Sequence, residues 1–232
     1  MFLVLSGEGA ADIGIDRQQI GPMTKWVDSW MARRCGYSLV EYQAYTIVPK
    51  SALADRAKQM KPRSRKGKKQ QSETRYFYNN ARALALLVGE MGADDVVAVL
   101  FRDGDGTASS ERGEWQDKVQ SVLDGFAAEQ MVTGVPMIPK PKSEAWLLCA
   151  LRDGYQNCGR LENESGNDAA PNSLKQQISQ HLGEPATREL LNGTIDDNRL
   201  DLEQITDMPS LTMFKDRLDA VLDQLGCPRV KL

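Results

Sequence analysis

The chain has 232 residues, 41% of them hydrophobic and 26% charged, with a formal net charge of −3. That composition fits an ordinary globular protein, with room for one large domain or for a domain of about 150 residues with an appendage. No apolar run approaches the ~20 residues that a membrane-spanning helix needs, and the apolar start Met1 to Leu5 is short and lacks the basic flank of a secretory leader. No membrane partner is therefore expected, and the cytoplasm is the expected compartment.

The first apolar run, Phe2-Leu3-Val4-Leu5, ends in Ser6-Gly7-Glu8-Gly9 and predicts a buried strand followed by a tight turn. Trp26, Val27, Trp30 and Met31 recur at helical spacing, so a helix is expected over 24–34. Tyr42 to Val48 predicts a second strand that stops at Pro49, and 77–91 a helix with Leu84, Leu87, Val88 and Met91 on one face. Val96 to Phe101 is the strongest strand signal. It stops at Arg102-Asp103-Gly104-Asp105-Gly106. A helix is expected over 111–131 and a short strand over Val135 to Ile138. Then Pro139-Lys140-Pro141-Lys142 leads into a helix beginning Ser143-Glu144-Ala145-Trp146, with Ser143 as its expected N-cap.

This alternation predicts an α/β fold: a parallel sheet flanked by helices. The α/β domain is expected over 1–155, a linker or loop over the Gly- and Asn-rich stretch 156–173, and a mostly helical C-terminal extension over 174–232. There Phe214, Leu218, Val221, Leu222 and Leu225 recur at helical spacing and Gly226 suits the position after the helix end.

The charge is uneven. Lys50 to Arg75 holds ten basic residues against Asp55 and Glu73, a surplus of +8 that leaves −11 for the remainder. Arg63, Arg65, Lys66, Lys68, Lys69 and Arg75 are the candidate nucleic-acid contacts, with Tyr76, Phe77 and Tyr78 just beyond them. The bland reading is a solvated loop. The four cysteines form no Cys-x-x-Cys pair and His181 is the single histidine, which argues against a zinc site and against Ser-His-Asp or Cys-His catalysis. Cys149 reads as a small buried apolar residue. Carboxylates, lysines and a metal ion remain as the available chemistry.

In parallel sheets, chemistry collects beyond the carboxyl ends of the strands. Glu8, the Asp103/Asp105 pair and Glu144 all fall at such ends. An Asp-x-Asp turn lets two carboxylates face one ion, and Mg²⁺ (or Mn²⁺) takes oxygen ligands.

Ser6-Gly7-Glu8-Gly9-Ala10-Ala11-Asp12 resembles the Glu-Gly-x-x-Asp motif of the Toprim fold, and Arg102-Asp103-Gly104-Asp105-Gly106 its Asp-x-Asp motif. Pro139 to Leu148 is similar to the Pro-x-x-Glu-x-Trp-Leu segment of small Toprim-like proteins related to OLD-type nucleases of anti-phage defence. Met208-Pro209-Ser210-Leu211 with Phe214 resembles their C-terminal helix. The resemblance covers 1–151 well and the rest loosely; Gly-Asp-Gly-Thr after Asp103 departs from the family's looser Asp-x-Asp-x-x-Gly pattern. It implies a Toprim-like sheet, a Mg²⁺-dependent nuclease acting on DNA or RNA, and Glu8 as general acid/base. It further implies Asp103 and Asp105 as metal ligands, with Glu144 and Asp12 as further ones, and an AAA- or ABC-type ATPase as a partner; a homodimer is also considered. Lys142, beside Glu144, is the candidate for stabilising a transition-state phosphate.

Other readings of the same residues stand beside this one. The acids are structural remnants of a non-catalytic adaptor. Or Asp103-Gly104-Asp105-Gly106-Thr107 is the nucleophile motif of a haloacid-dehalogenase-like phosphatase, although it follows the third strand and lacks that family's downstream acidic motif. Gly7-Glu8-Gly9 as a dinucleotide fingerprint is disfavoured by Asp12, which would repel a pyrophosphate.

Overall fold

The computed structural model describes residues 1–61, 72–104, 114–197 and 201–227. Four strands, β1 (Phe2–Gly7), β2 (Tyr45–Val48), β3 (Val96–Phe101) and β4 (Gly134–Met137), form one sheet in the order β2-β1-β3-β4. All its pairings are parallel. The fold is α/β, with helices on both faces and a helical C-terminal region. No helix among the described residues is long and apolar enough to cross a membrane.

The strands are apolar on both sides because both faces are covered. Alternation divides them. Leu3, Leu5, Tyr45, Ile47, Val97, Val99, Phe101, Val135 and Met137 face one core, while Val4, Val48, Val96, Ala98 and Leu100 face the other. The second core is closed by α2 (Lys50–Gln59), α3 (Ser72–Met91) and α4 (Trp115–Ala128). The first is closed by α1 (Pro22–Cys35), α5 (Ser143–Leu151), α6 (Leu174–Leu182), α7 (Arg188–Asp196) and α8 (Pro209–Gln224). The C-terminal helices thus complete the same core that covers the sheet. Trp146 is fully buried there, with Phe214 packed 5.9 Å from it, centroid to centroid. Truncating it to Ala would cost about 3–5 kcal/mol.

Strand β2 begins at Tyr45 rather than at Tyr42, which is exposed. Residues 39–43 form a turn instead, pinned by buried Asp28. Its Oδ1 accepts the N–H groups of Leu39 at 2.7 Å and Val40 at 3.1 Å. That hydrogen bonding takes the backbone away from the sheet ladder. The stretch expected as a linker or loop holds a 3-10 turn, Cys158–Asn163, with Cys158, Leu161 and Glu162 buried. Cys149 is buried as expected but is not a lone apolar residue. It forms a disulfide with Cys158 that ties α5 to this turn.

A polar network joins two of the sequence motifs. The Ser210 hydroxyl donates to the buried Glu162 carboxylate at 2.6 Å and accepts from the Trp146 indole N–H at 2.8 Å. The Ser210 backbone N–H donates to the same Glu162 oxygen at 2.8 Å. Ser210 and Trp146 therefore act as fastenings between α8 and α5.

Candidate active site at the carboxyl edge of the sheet

Each strand delivers polar residues to the same edge. Glu8 follows β1, Lys50 follows β2, Arg102 and Asp103 follow β3, and Lys142, Ser143 and Glu144 follow β4. The central strands approach closely there: a Cβ on Gly7 would lie 2.1 Å from the carbonyl oxygen of Phe101. Only glycine fits, and the close approach sets Glu8 beside Arg102. Gly9, with a φ of 94°, then reverses the chain so that its carbonyl accepts the Asp12 N–H at 3.0 Å. This turn explains the Glu-Gly-x-x-Asp spacing physically: it folds Asp12 back over the strand ends.

Asp12, Asp103, Ser143 and Glu144 meet at the start of α5. The Ser143 hydroxyl donates to Asp12 Oδ1 at 2.5 Å and lies 3.3 Å from Glu144 Oε2. The Ser143 backbone N–H donates to Asp103 Oδ1 at 3.1 Å. The expected cap is therefore corrected. Lys142 occupies the N-cap position without a side-chain cap bond, and Ser143 is the first helical residue. Asp103 satisfies the helix N-terminus from a neighbouring strand, where its negative charge also meets the positive end of the helix dipole.

Glu8 lies apart from this group. Its Oε1 is bound by Lys50 Nζ at 2.5 Å, and its Oε2 by Arg102. Arg102 was not singled out by sequence, and Lys50 was counted only as part of the basic strip. The Arg102 guanidinium sits over the Tyr76 ring, 4.1 Å from its centroid. Lys142, also nearly buried, donates to Asp168 at 2.8 Å.

The electrostatics of the acids diverge. Burial pushes the Asp12 carboxyl up to about 6. The Ser143 hydrogen bond opposes that rise and the Glu144 charge adds to it. Partial burial also pushes Glu8 up, but the hydrogen bond from Lys50 and the charge of Arg102 outweigh it and hold Glu8 below the ordinary carboxylate value. Burial lowers Lys142, yet its bond to Asp168 and the charges of Glu144, Asp168 and Asp103 raise it above the usual lysine value. Lys142 is thus a fixed cation. Asp12 is the group whose proton is poised near neutral pH.

The oxygen-only set Asp12, Asp103 and Glu144 has the donor chemistry that suits a hard divalent cation; the rise at Asp12 comes first from burial and only secondarily from the Glu144 charge. Among the described residues, no three of these acids bring ligand oxygens within 4.8 Å of one another. Among the described residues, the group of three ligand atoms within 4.8 Å of one another is Cys149, Cys158 and Asp207, and its sulfurs are already joined to each other. Mg²⁺ commonly uses one or two carboxylates plus water and phosphate, so a looser arrangement suits it. Asp105, Arg63, Arg65, Lys66, Lys68 and Lys69 lie outside the described residues. Arg75 is exposed on α3, and His181 is exposed on α6. No family model, curated protein or solved structure matches the chain.

Proposed function

We propose that this chain is a Toprim-like nuclease that hydrolyses phosphodiesters of DNA or RNA in the cytoplasm with the help of Mg²⁺ or Mn²⁺. The observation that carries the reading is the meeting of Asp12, Asp103 and Glu144 around Ser143 at the sheet's carboxyl edge, beside a fixed cation, Lys142.

In this reading Asp103, Glu144 and Asp12 hold the ion, and Asp105 joins them. A bound Mg²⁺ supplies charge neutralisation for the attacked phosphate. Lys142, locked by Asp168, contributes a second positive charge that needs no reorganisation during reaction. Glu8 starts ionised and doubly paired, so it accepts a proton only once released from its partners. Control by an AAA- or ABC-type ATPase, or by a second copy of the chain, rests on the resemblance alone.

A second reading draws on a specific observation. Glu8 and Asp103 both have structural partners, as they would in a non-catalytic adaptor. Incubation with plasmid, single-stranded DNA and tRNA in the presence of Mn²⁺ separates the two. The nuclease reading expects EDTA-sensitive cleavage that falls about 100-fold or more in Asp103→Asn. Absence of cleavage on all three substrates would favour the adaptor.

A further inference from the structure

We propose that Lys50 and Arg102 form a phosphate-binding subsite of the active centre, which Glu8 fills as an internal anion in the resting chain. This inference rests on the nucleic-acid reading above and names the part of the substrate the rim recognises.

The geometry is that of a cradle for two oxygens of one anion. Lys50 Nζ takes Glu8 Oε1 and the Arg102 guanidinium takes Oε2, so each oxygen has its own cation. A phosphate presents two non-bridging oxygens to such a pair in the same manner, with more charge. The cations directly follow different strands, Lys50 after β2 and Arg102 after β3, on either side of β1. The sheet therefore fixes their separation.

The cradle is ordered from behind. The Arg102 side chain is only 7% exposed, and its guanidinium rests on Tyr76 at 4.1 Å with Phe77 at 5.5 Å. Those rings hold the guanidinium in place whether or not Glu8 is paired with it. A buried guanidinium needs an anion, so the position favours exchange of one anion for another over vacancy.

The cradle is open in front. Side chains of Lys50 and Glu8 are 49% and 51% exposed. Among the described residues Glu8 has no side-chain hydrogen-bond partner beyond these two cations. It stands on a turn directly before Gly9. An incoming phosphate displaces it without unfolding anything. Displacement also frees the Glu8 carboxylate from both cations, which couples substrate arrival to release of the acid. Lys50 and Tyr76 lie on α2 and α3, the helices that flank the most basic stretch of the sequence.

The test is titration calorimetry with thymidine 5′-monophosphate and with thymidine, in EDTA so that no turnover occurs. Glu8→Gln removes the competing anion but keeps the side-chain shape. It is expected to bind the monophosphate about tenfold more tightly than the parent, with thymidine bound by neither. Adding Lys50→Ala to Glu8→Gln is expected to abolish the gain. Both positions are half exposed, so folding is retained, and unchanged urea unfolding verifies it. Equal affinity of parent and Glu8→Gln, a gain that survives Lys50→Ala, or equal binding of thymidine would each overturn the proposal. Failure here with cleavage intact leaves the nuclease reading standing. The expected binding without cleavage overturns that reading and keeps the subsite.

Discussion

The carboxylate of Asp103, at the end of β3, accepts the backbone N–H of Ser143 at the start of α5 at 3.1 Å. One residue thus both faces the acidic centre and anchors the helix that carries Glu144. A structural role and a ligand role are separable by substitution. Asp103→Ala should destabilise the fold by about 1 kcal/mol, the usual cost of a lost helix cap. Asp103→Asn keeps an acceptor oxygen and should recover most of that stability while still losing activity. Urea unfolding beside the cleavage assay checks both. Full activity in Asp103→Asn would leave only the capping role.

Asp12 predicts a pH dependence of definite sign. Its folded-state value of about 6 lies above the unfolded value of 3.8. Between the two the folded chain binds more protons, so this group's contribution to stability is greatest below pH 4. It is lost as pH rises towards 6, by up to about 3 kcal/mol in metal-free buffer. Glu8 acts in the opposite sense, because its folded value is depressed. The useful quantity is therefore the difference between parent and Asp12→Asn. In EDTA, Asp12→Asn should gain stability on the parent from pH 4 to pH 6 and hold a constant lead above it. Parallel profiles would contradict the assignment.

Ser210 predicts a stability effect far from the acids. Ser210→Ala leaves the buried Glu162 carboxylate short of a donor and the Trp146 N–H short of an acceptor. A loss of about 1–3 kcal/mol is expected, the cost of stranding a buried polar group, and more if Glu162 stays charged. Denaturation monitored by tryptophan fluorescence measures it. The change should leave the pH response of Asp12 unaltered.

The cysteines predict a labelling pattern. Alkylation of the unreduced, denatured chain should modify Cys35 and Cys227 and leave Cys149 and Cys158 unmodified. Both bridged residues are fully buried, so the bond is out of reach of reagents until the chain is denatured. Replacing both with Ala should cost about 2–3 kcal/mol on the chain-entropy estimate for so short a loop. Labelling of all four cysteines would remove the bridge.

The sheet was legible because buried parallel strands are written as apolar runs, and Val96 to Phe101 is such a run along its whole length. Tyr42 misled because an aromatic residue fits a strand pattern whether or not a buried aspartate such as Asp28 claims the local backbone. Ser143 looked like a cap because Ser before Glu and an apolar run is a common helix start. The actual acceptor lies forty residues earlier, on another strand. Strand ends alone placed Asp103 and Glu144 at this edge, whereas Asp12 was expected only through the resemblance of the Glu-Gly-x-x-Asp spacing. The partners of Glu8 did not, since Lys50 and Arg102 are 42 and 94 residues away. The one local signal for Arg102 was a lone cation immediately after a six-residue buried strand. The Cys149–Cys158 bridge carried no recognisable spacing motif.

The proposed function requires that the acids at the sheet edge hold a divalent cation. Mn²⁺ binding followed by electron paramagnetic resonance at pH 7.5 tests it most directly, because free Mn²⁺ gives a sharp signal that coordination suppresses. The parent should deplete that signal stoichiometrically, Asp103→Asn with Glu144→Gln should restore it, and Lys50→Ala should leave the depletion intact. Equal depletion by the parent and the Asp103→Asn, Glu144→Gln chain would show that these acids do not hold the ion.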